Sequence, residues 1–145
     1  MLHSHSLRFA LSLINEGAFL CELDLRTVAW NAEERSLRMI DQRRLPAEVR
    51  ILTMTSAQEV AEAIHAMAVR GAPAIGAAAA FGLALTAVHC PQKDAEDLWS
   101  ELQAAAERLR RSRPTAVNLA WALNRVLHAV DAVRDQGPDA MRQRA

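Results

Sequence analysis

The chain has 145 residues, with seventeen Lys and Arg against seventeen Asp and Glu, so its formal net charge at pH 7 is zero. That length fits one domain with a sizeable core. The charge balance argues against a nucleic-acid surface, which needs clustered positive charge; the one dense basic patch, Arg108, Arg110, Arg111 and Arg113, reads as a solvated helix end.

Residues 1–26 read as a loosely specified extension ahead of a domain over 27–145. Within the extension, "FALSLI" (residues 9–14) is shorter than the roughly 20 residues a bilayer-spanning helix needs. It also makes a poor signal peptide, with only Arg8 ahead of it and Glu16 close behind. The expectation is a cytoplasmic chain with no membrane partner. Cys21 and Cys90 are the only cysteines, and they read as free thiols in a reducing compartment.

Between Thr27 and Thr55 the pattern favours short strands. "TVAWN" is β-branched and aromatic, and "SLRMID" alternates Leu37 and Met39 against Arg38. "EVRILTM" predicts a third strand with Val49 and Ile51 on one face and Arg50 on the other. "QRRLP" supplies the turn before it, because Pro46 cannot donate to a ladder. The sum is a small antiparallel sheet.

From Ser56 the period becomes helical. Ser56 and Glu59 have capping-box spacing, and Val60, Ile64, Met67 and Ala68 fall on one face. Gly71 is placed where a helix C-terminus wants a residue tolerant of positive φ. A second helix is predicted from about Ala74 or Ile75 to His89. A third, opened by Asp94, carries Leu98, Leu102 and Leu109 up to Pro114. The fourth takes Thr115 as N-cap, turns Leu119, Leu123, Val126, Leu127 and Val130 inward, and closes at Gly137-Pro138. "GPDAMRQRA" then starts a fifth helix, with Asp139 in its first turn. A helix that short is marginal alone, so the expectation is the front part of a longer chain. The predicted class is α+β, mostly helical: a small antiparallel sheet followed by a helical bundle.

Two stretches are candidate sites. In "AVRGAPAIGAAAAFGLAL" (residues 68–85) a helix opens behind Arg70, Gly71, Ala72 and Pro73. The first N–H groups of a helix lack internal partners, and the macrodipole makes that end partly positive, so anions bind there readily. Gly71 and Ala72 leave the backbone accessible, and Arg70 offers a planar fork of donors to phosphate oxygens. On the pattern alone, a tight turn with small residues for close packing accounts for the stretch more economically. "SRPTAVNLAWAL" (residues 112–123) repeats the arrangement with Arg113, and two arginines at helix entrances could converge on one anion. Asn118 reads as a satisfied polar group. His3 and His5 lie near the terminus, while His65, His89 and His128 are isolated helical positions. No His/Cys spacing suggests zinc, and neither a Walker motif nor a nucleophile elbow is present. Trp30, Trp99 and Trp121 read as core or subunit-contact residues.

"VRGAPAIGAAAAFGLAL" together with "RPTAVNLAWAL" closely resembles the N-terminal domain of the methylthioribose-1-phosphate isomerases, enzymes of methionine salvage. "SLRMIDQRRLP" and "VRILTMTSAQEVAEAIHAMAVRG" resemble the lead-in of the same domain. The likeness runs from Thr27 to the C-terminus; residues 1–26 fit it poorly. It implies an aldose–ketose isomerase acting on 5-methylthioribose 1-phosphate without a cofactor or metal, from a family that tends to form homodimers. It also implies substrate contacts from Arg70, Gly71, Ala72 and Arg113, so that the anion site outweighs the simple turn.

The family's catalytic cysteine and aspartate belong to a C-terminal Rossmann-like domain that has no counterpart in this sequence. No catalytic role passes to Cys21 or Cys90, and the chain is expected to hold a substrate-binding part that is inactive alone. Two alternatives stand beside this. One is a ribose-1,5-bisphosphate isomerase part; the other is a non-enzymatic interaction module related to the regulatory subunits of the translation-initiation exchange factor.

Overall fold

The computed structural model describes residues 26–145. The expectations for the N-terminal extension, including "FALSLI", His3, His5 and Cys21, lie outside those residues. Three antiparallel strands come first: β1 (Val28–Asn31), β2 (Ser36–Ile40) and β3 (Ile51–Met54), in that order across the sheet. Their register sets one inner face. Val28 pairs with Met39 and Trp30 with Leu37 on one side of β2, while Leu52 pairs with Met39 and Met54 with Leu37 on the other. Directly paired residues point to the same side of a sheet, and all six belong to the core or pack against it.

The predicted face of the third strand is therefore wrong by one residue. Leu52 and Met54 face inward, whereas Val49 precedes the strand and is exposed, and Ile51 pairs with Ile40 on the far side. A one-residue slip exchanges the faces of a strand. The run "ILTM" carries apolar residues on both faces, so its sequence alone does not fix which face the sheet covers.

The loop between β2 and β3 is held by Asp41. Its side chain is 1% exposed and accepts two parallel hydrogen bonds from the Arg43 guanidinium, at 2.7 Å each, and a third from the Arg43 backbone N–H at 3.1 Å. These bonds outweigh burial and hold the Asp41 carboxyl at about 2, well below the usual carboxylate range. A depressed folded-state pKa stabilises above the unfolded value, and the contribution fades as pH falls through the folded one. Asp41→Asn should thus cost about 1–3 kcal/mol near neutral pH. In urea titrations the gap between variant and parent should close between about pH 4 and pH 2.

Five α-helices follow among the described residues: α1 (Ala57–His65), α2 (Ala72–His89), α3 (Ala95–Ser112), α4 (Val117–Asp131) and α5 (Pro138–Arg144), with a 3-10 turn (Arg134–Gln136) between the last two. The predicted class holds. Helix α1 opens on the full capping box: the Ser56 hydroxyl accepts from the Glu59 N–H, and the Glu59 carboxylate accepts from the Ser56 N–H at 3.0 Å. It ends earlier than expected. The left-handed residue is Met67 (φ 57), exposed rather than packed with Val60 and Ile64, and Gly71 (φ 89) opens α2 instead of closing α1. Helix α4 likewise stops at Asp131, ahead of Gly137-Pro138, which begins α5.

Helix α2 is the centre of the domain. It is long and apolar enough to cross a membrane by length and composition, yet here it packs against α1, α3, α4 and the sheet. Phe81 stacks on Trp30 of β1, with ring centroids 5.9 Å apart and planes 11° apart. Close approach needs its glycines. A Cβ on Gly82 would lie 2.9 Å from a methyl of Leu109 in α3 and 3.5 Å from one of Val60 in α1. A Cβ on Gly76 would lie 3.0 Å from the backbone oxygen of Asn118 in α4.

Candidate functional site

The close approach at Gly76 places two helix beginnings together. Gly76 stands in the opening turns of α2 and Asn118 in the first turn of α4. The N-terminal ends of the two helices that follow Arg70 and Arg113 therefore lie side by side, although far apart in sequence.

These two ends are chemically unlike those of α1 and α3. Helix α1 is closed by Ser56 and Glu59; α3 is closed by Asp94, whose carboxylate accepts from the Glu96 N–H at 2.8 Å, with Glu96 and Asp97 in its first turn. Neither α2 nor α4 has a side-chain cap or an acidic residue in its first turn. Their N-caps are Gly71 and Ala116, which have no side-chain oxygen to give. Thr115, expected to cap α4, falls one residue short, because a turn closed by the Ala116 N–H on the Arg113 carbonyl at 3.0 Å ends after it. Bare N–H groups and an uncompensated dipole end thus recur at both places.

Gly71 and Ala72 are exposed, and nothing lies within 4 Å of where a Cβ on Gly71 would stand. Arg70 is exposed too and donates from Nε to the Met67 carbonyl at 3.4 Å. Arg113 is half-buried at the end of α3. Neither arginine has a carboxylate partner among the described residues. By contrast, Arg110 and Arg111 of the same basic run are paired with Glu107, at 3.1 and 3.2 Å, and the first also with Asn124. The run divides: part is a paired helix surface and Arg113 is not.

A hollow of about 690 Å³ runs along the junction of α2 and α4, from Pro73 and Asn118 to Ala129, with Gln143 and Arg144 of α5 along one side. Arg70 and Arg113 do not line it. The hollow was not legible in the sequence, since its walls come from helices distant in the chain. Asn118, read as satisfied, is exposed there, and its amide has no protein hydrogen-bond partner among the described residues. Trp121, read as a core or subunit-contact residue, is 61% exposed on the same wall. Cys90 sits at the opposite end of α2, in a separate hollow of about 330 Å³ with Glu101 and Arg108. No group of three metal-ligating side chains gathers among the described residues.

Residues 68–144 match the model of the Initiation factor 2 subunit family, and the match holds both arginine motifs. The chain belongs to this family. Its relatives include the methylthioribose-1-phosphate isomerase of a Synechococcus species, 50% identical over 105 residues, which cover 72% of this chain and 30% of that one. The crystal structure of 5-methylthioribose 1-phosphate isomerase from Pyrococcus horikoshii superposes with a TM-score of 0.77 at 46% identity, covering 81% of this chain and 33% of that one. The translation initiation factor eIF-2B, subunit delta, from A. fulgidus has the same fold, with a TM-score of 0.76 at 36% identity, covering 83% of this chain and 34% of that one. The chain spans about a third of the length of the relatives it matches.

Proposed function

We propose that this family member is the N-terminal, sugar-phosphate-binding part of a methylthioribose-1-phosphate isomerase. In this reading Arg70 and Arg113 bind the phosphate through their guanidinium groups, while the bare N–H groups around Gly71 and Ala72 take its remaining oxygens. The reaction is an aldose–ketose isomerisation of methionine salvage, in the cytoplasm. Its proton-transferring groups come from a separate Rossmann-like domain, and the assembled enzyme is a homodimer. The observation that carries the reading is the pairing of two uncapped, acid-free helix ends, each preceded by an arginine without a carboxylate. The high identity to isomerases supports the substrate class.

A charge-assisted hydrogen bond to phosphate contributes about 1.5–3 kcal/mol. Arg70→Ala and Arg113→Ala should therefore each weaken binding of 5-methylthioribose 1-phosphate by roughly tenfold or more in calorimetric titration. Unchanged affinity in both variants would remove the reading. The 145-residue chain alone should show no turnover, because catalysis needs groups fixed around the reacting carbons, and measurable isomerisation would contradict that part.

A second reading, as an interaction module, draws on the fold shared with the translation-factor subunit. It predicts assembly without ligand and indifference to both arginine substitutions, so the same titrations separate the two.

A further inference from the structure

Arg70 is exposed, but the backbone that carries it is not free. Ala68 and Val69, the two residues before it, are fully buried. The Ala68 N–H donates to the Ala63 carbonyl at 2.9 Å, and the Ala68 carbonyl accepts from the Gln42 N–H at 2.8 Å. That second bond comes from outside the helices, out of the turn that follows β2. The turn is closed around Gln42 in three ways. The Asp41 N–H donates to the Arg50 carbonyl at 2.8 Å, and the Asp41 carbonyl accepts from the Arg44 N–H at 3.1 Å. The Asp41 carboxylate accepts from the Arg43 N–H and twice from the Arg43 guanidinium. A carboxylate that accepts from the backbone two residues on fixes a turn locally, so the Gln42 N–H is held in one direction. That direction is Ala68.

We infer that the turn Asp41–Arg44 positions Arg70: by fixing the Ala68 carbonyl it sets the place from which the guanidinium reaches a phosphate. Asp41 and Arg43 are then positioning residues, acting through Arg70. The coupling has a physical cause. Ala68 is fully buried, so its carbonyl cannot turn to water, and leaving it unpaired is costly. A turn that shifts must therefore carry the Ala68 segment with it. Little slack separates that segment from the guanidinium. Val69 is buried, Met67 is held at φ 57, and the Arg70 Nε returns to the Met67 carbonyl at 3.4 Å. Arg113 is supported differently. Its segment closes on itself, through the Ser112 hydroxyl to the Leu109 carbonyl at 2.6 Å and the Ala116 N–H to the Arg113 carbonyl at 3.0 Å, and it meets α1 where the His65 ring lies 3.4 Å from the Ser112 carbonyl. One arginine hangs on the β2–β3 turn and the other on α3. This role presupposes the phosphate reading of Arg70 proposed above.

The test is a set of double-mutant comparisons on the 145-residue chain, at a temperature where every variant is folded. Asp41→Asn should weaken binding of 5-methylthioribose 1-phosphate by roughly three- to tenfold, the range for residues that modulate a site without touching its ligand. In an Arg70→Ala background the same substitution should cost almost nothing more, because its route to the ligand is already gone. In an Arg113→Ala background it should cost its full factor. Arg43→Lys keeps the charge but gives up the paired guanidinium bonds; it should show the same pattern more weakly, and it carries the comparison if Asp41→Asn does not fold. Amide hydrogen exchange without ligand gives a second reading: residues 66–72 should exchange faster in either variant, and residues 113–119 at the parent's rate. An equal loss of affinity in all three backgrounds, or equally faster exchange in both segments, would mean general loosening and overturns the inference. So does unchanged affinity in Asp41→Asn where Arg70→Ala weakens binding. If Arg70→Ala binds as the parent does, the phosphate reading of Arg70 falls instead; the hold of the turn on its segment is then sustained by exchange confined to 66–72 and overturned by a uniform response.

Discussion

Leu109→Ala is expected to lower the unfolding free energy by about 3–5 kcal/mol, the range for deleting a fully buried leucine that leaves a cavity. Leu109 is fully buried in α3, and its two methyls stand against Gly82 of α2. The site cannot collapse easily, because α2 is also held by Phe81 on Trp30 and by its contact with α4. Gly82→Ala tests the same contact from the other side. The new methyl would sit 2.9 and 3.1 Å from the two Leu109 methyls, closer than carbon atoms tolerate. Such overpacking costs about 1–3 kcal/mol. Replacing glycine by alanine within a helix returns about 1 kcal/mol. The two changes should compensate: in Leu109→Ala the space that the added methyl needs is already open. Urea unfolding of the double variant should give a loss smaller than the sum of the single losses by roughly 1 kcal/mol or more. Strict additivity would mean that α2 and α3 do not meet at Gly82.

How much of this was legible in the sequence depended on how local each signal was. The start of α1 is written in Ser56 and Glu59, three residues apart, and the box forms as read. The opening of α3 on Asp94 and its stripe of Leu98, Leu102 and Leu109 are local in the same way, and all three leucines are fully buried. The Thr115 cap failed locally, to a turn closed by Ala116 on Arg113; other failures depended on partners distant in the chain. The inward face of β3 is set by its pairing with β2, not by its own alternation. The end of α1 is set by backbone bonds, with the Ala68 N–H reaching the Ala63 carbonyl at 2.9 Å and the Ala68 carbonyl accepting from Gln42 beyond the sheet at 2.8 Å. Those bonds leave Met67 in the left-handed position that a glycine was expected to take. The arginine motifs were visible as residues and by resemblance. The adjacency of their helices was not, because it turns on one glycine of α2 meeting one carbonyl of α4.

That glycine gives the most informative single change. Gly76→Val places a branched side chain where even a Cβ would be 3.0 Å from the Asn118 backbone oxygen. The obstacle is the helix backbone itself, which has no rotamer to swing into, so the first turns of α2 and α4 must separate or tilt. Overpacking of this kind costs about 1–3 kcal/mol and shifts backbone rather than side chains alone. Melting temperature should fall accordingly. If one phosphate is held by both helix ends, the displacement acts on every one of its contacts at once. Guanidinium and N–H groups must sit within a few tenths of an ångström of hydrogen-bonding distance to grip an anion, so affinity for 5-methylthioribose 1-phosphate should drop by roughly a hundredfold, more than for either arginine variant alone. Gly82→Ala, further along the same helix and facing α3, should perturb stability while leaving that affinity within about twofold, since distant sites act independently. A Gly76→Val protein that melts lower yet binds the phosphate ester as tightly as the parent would show that the two helix ends do not share the ligand.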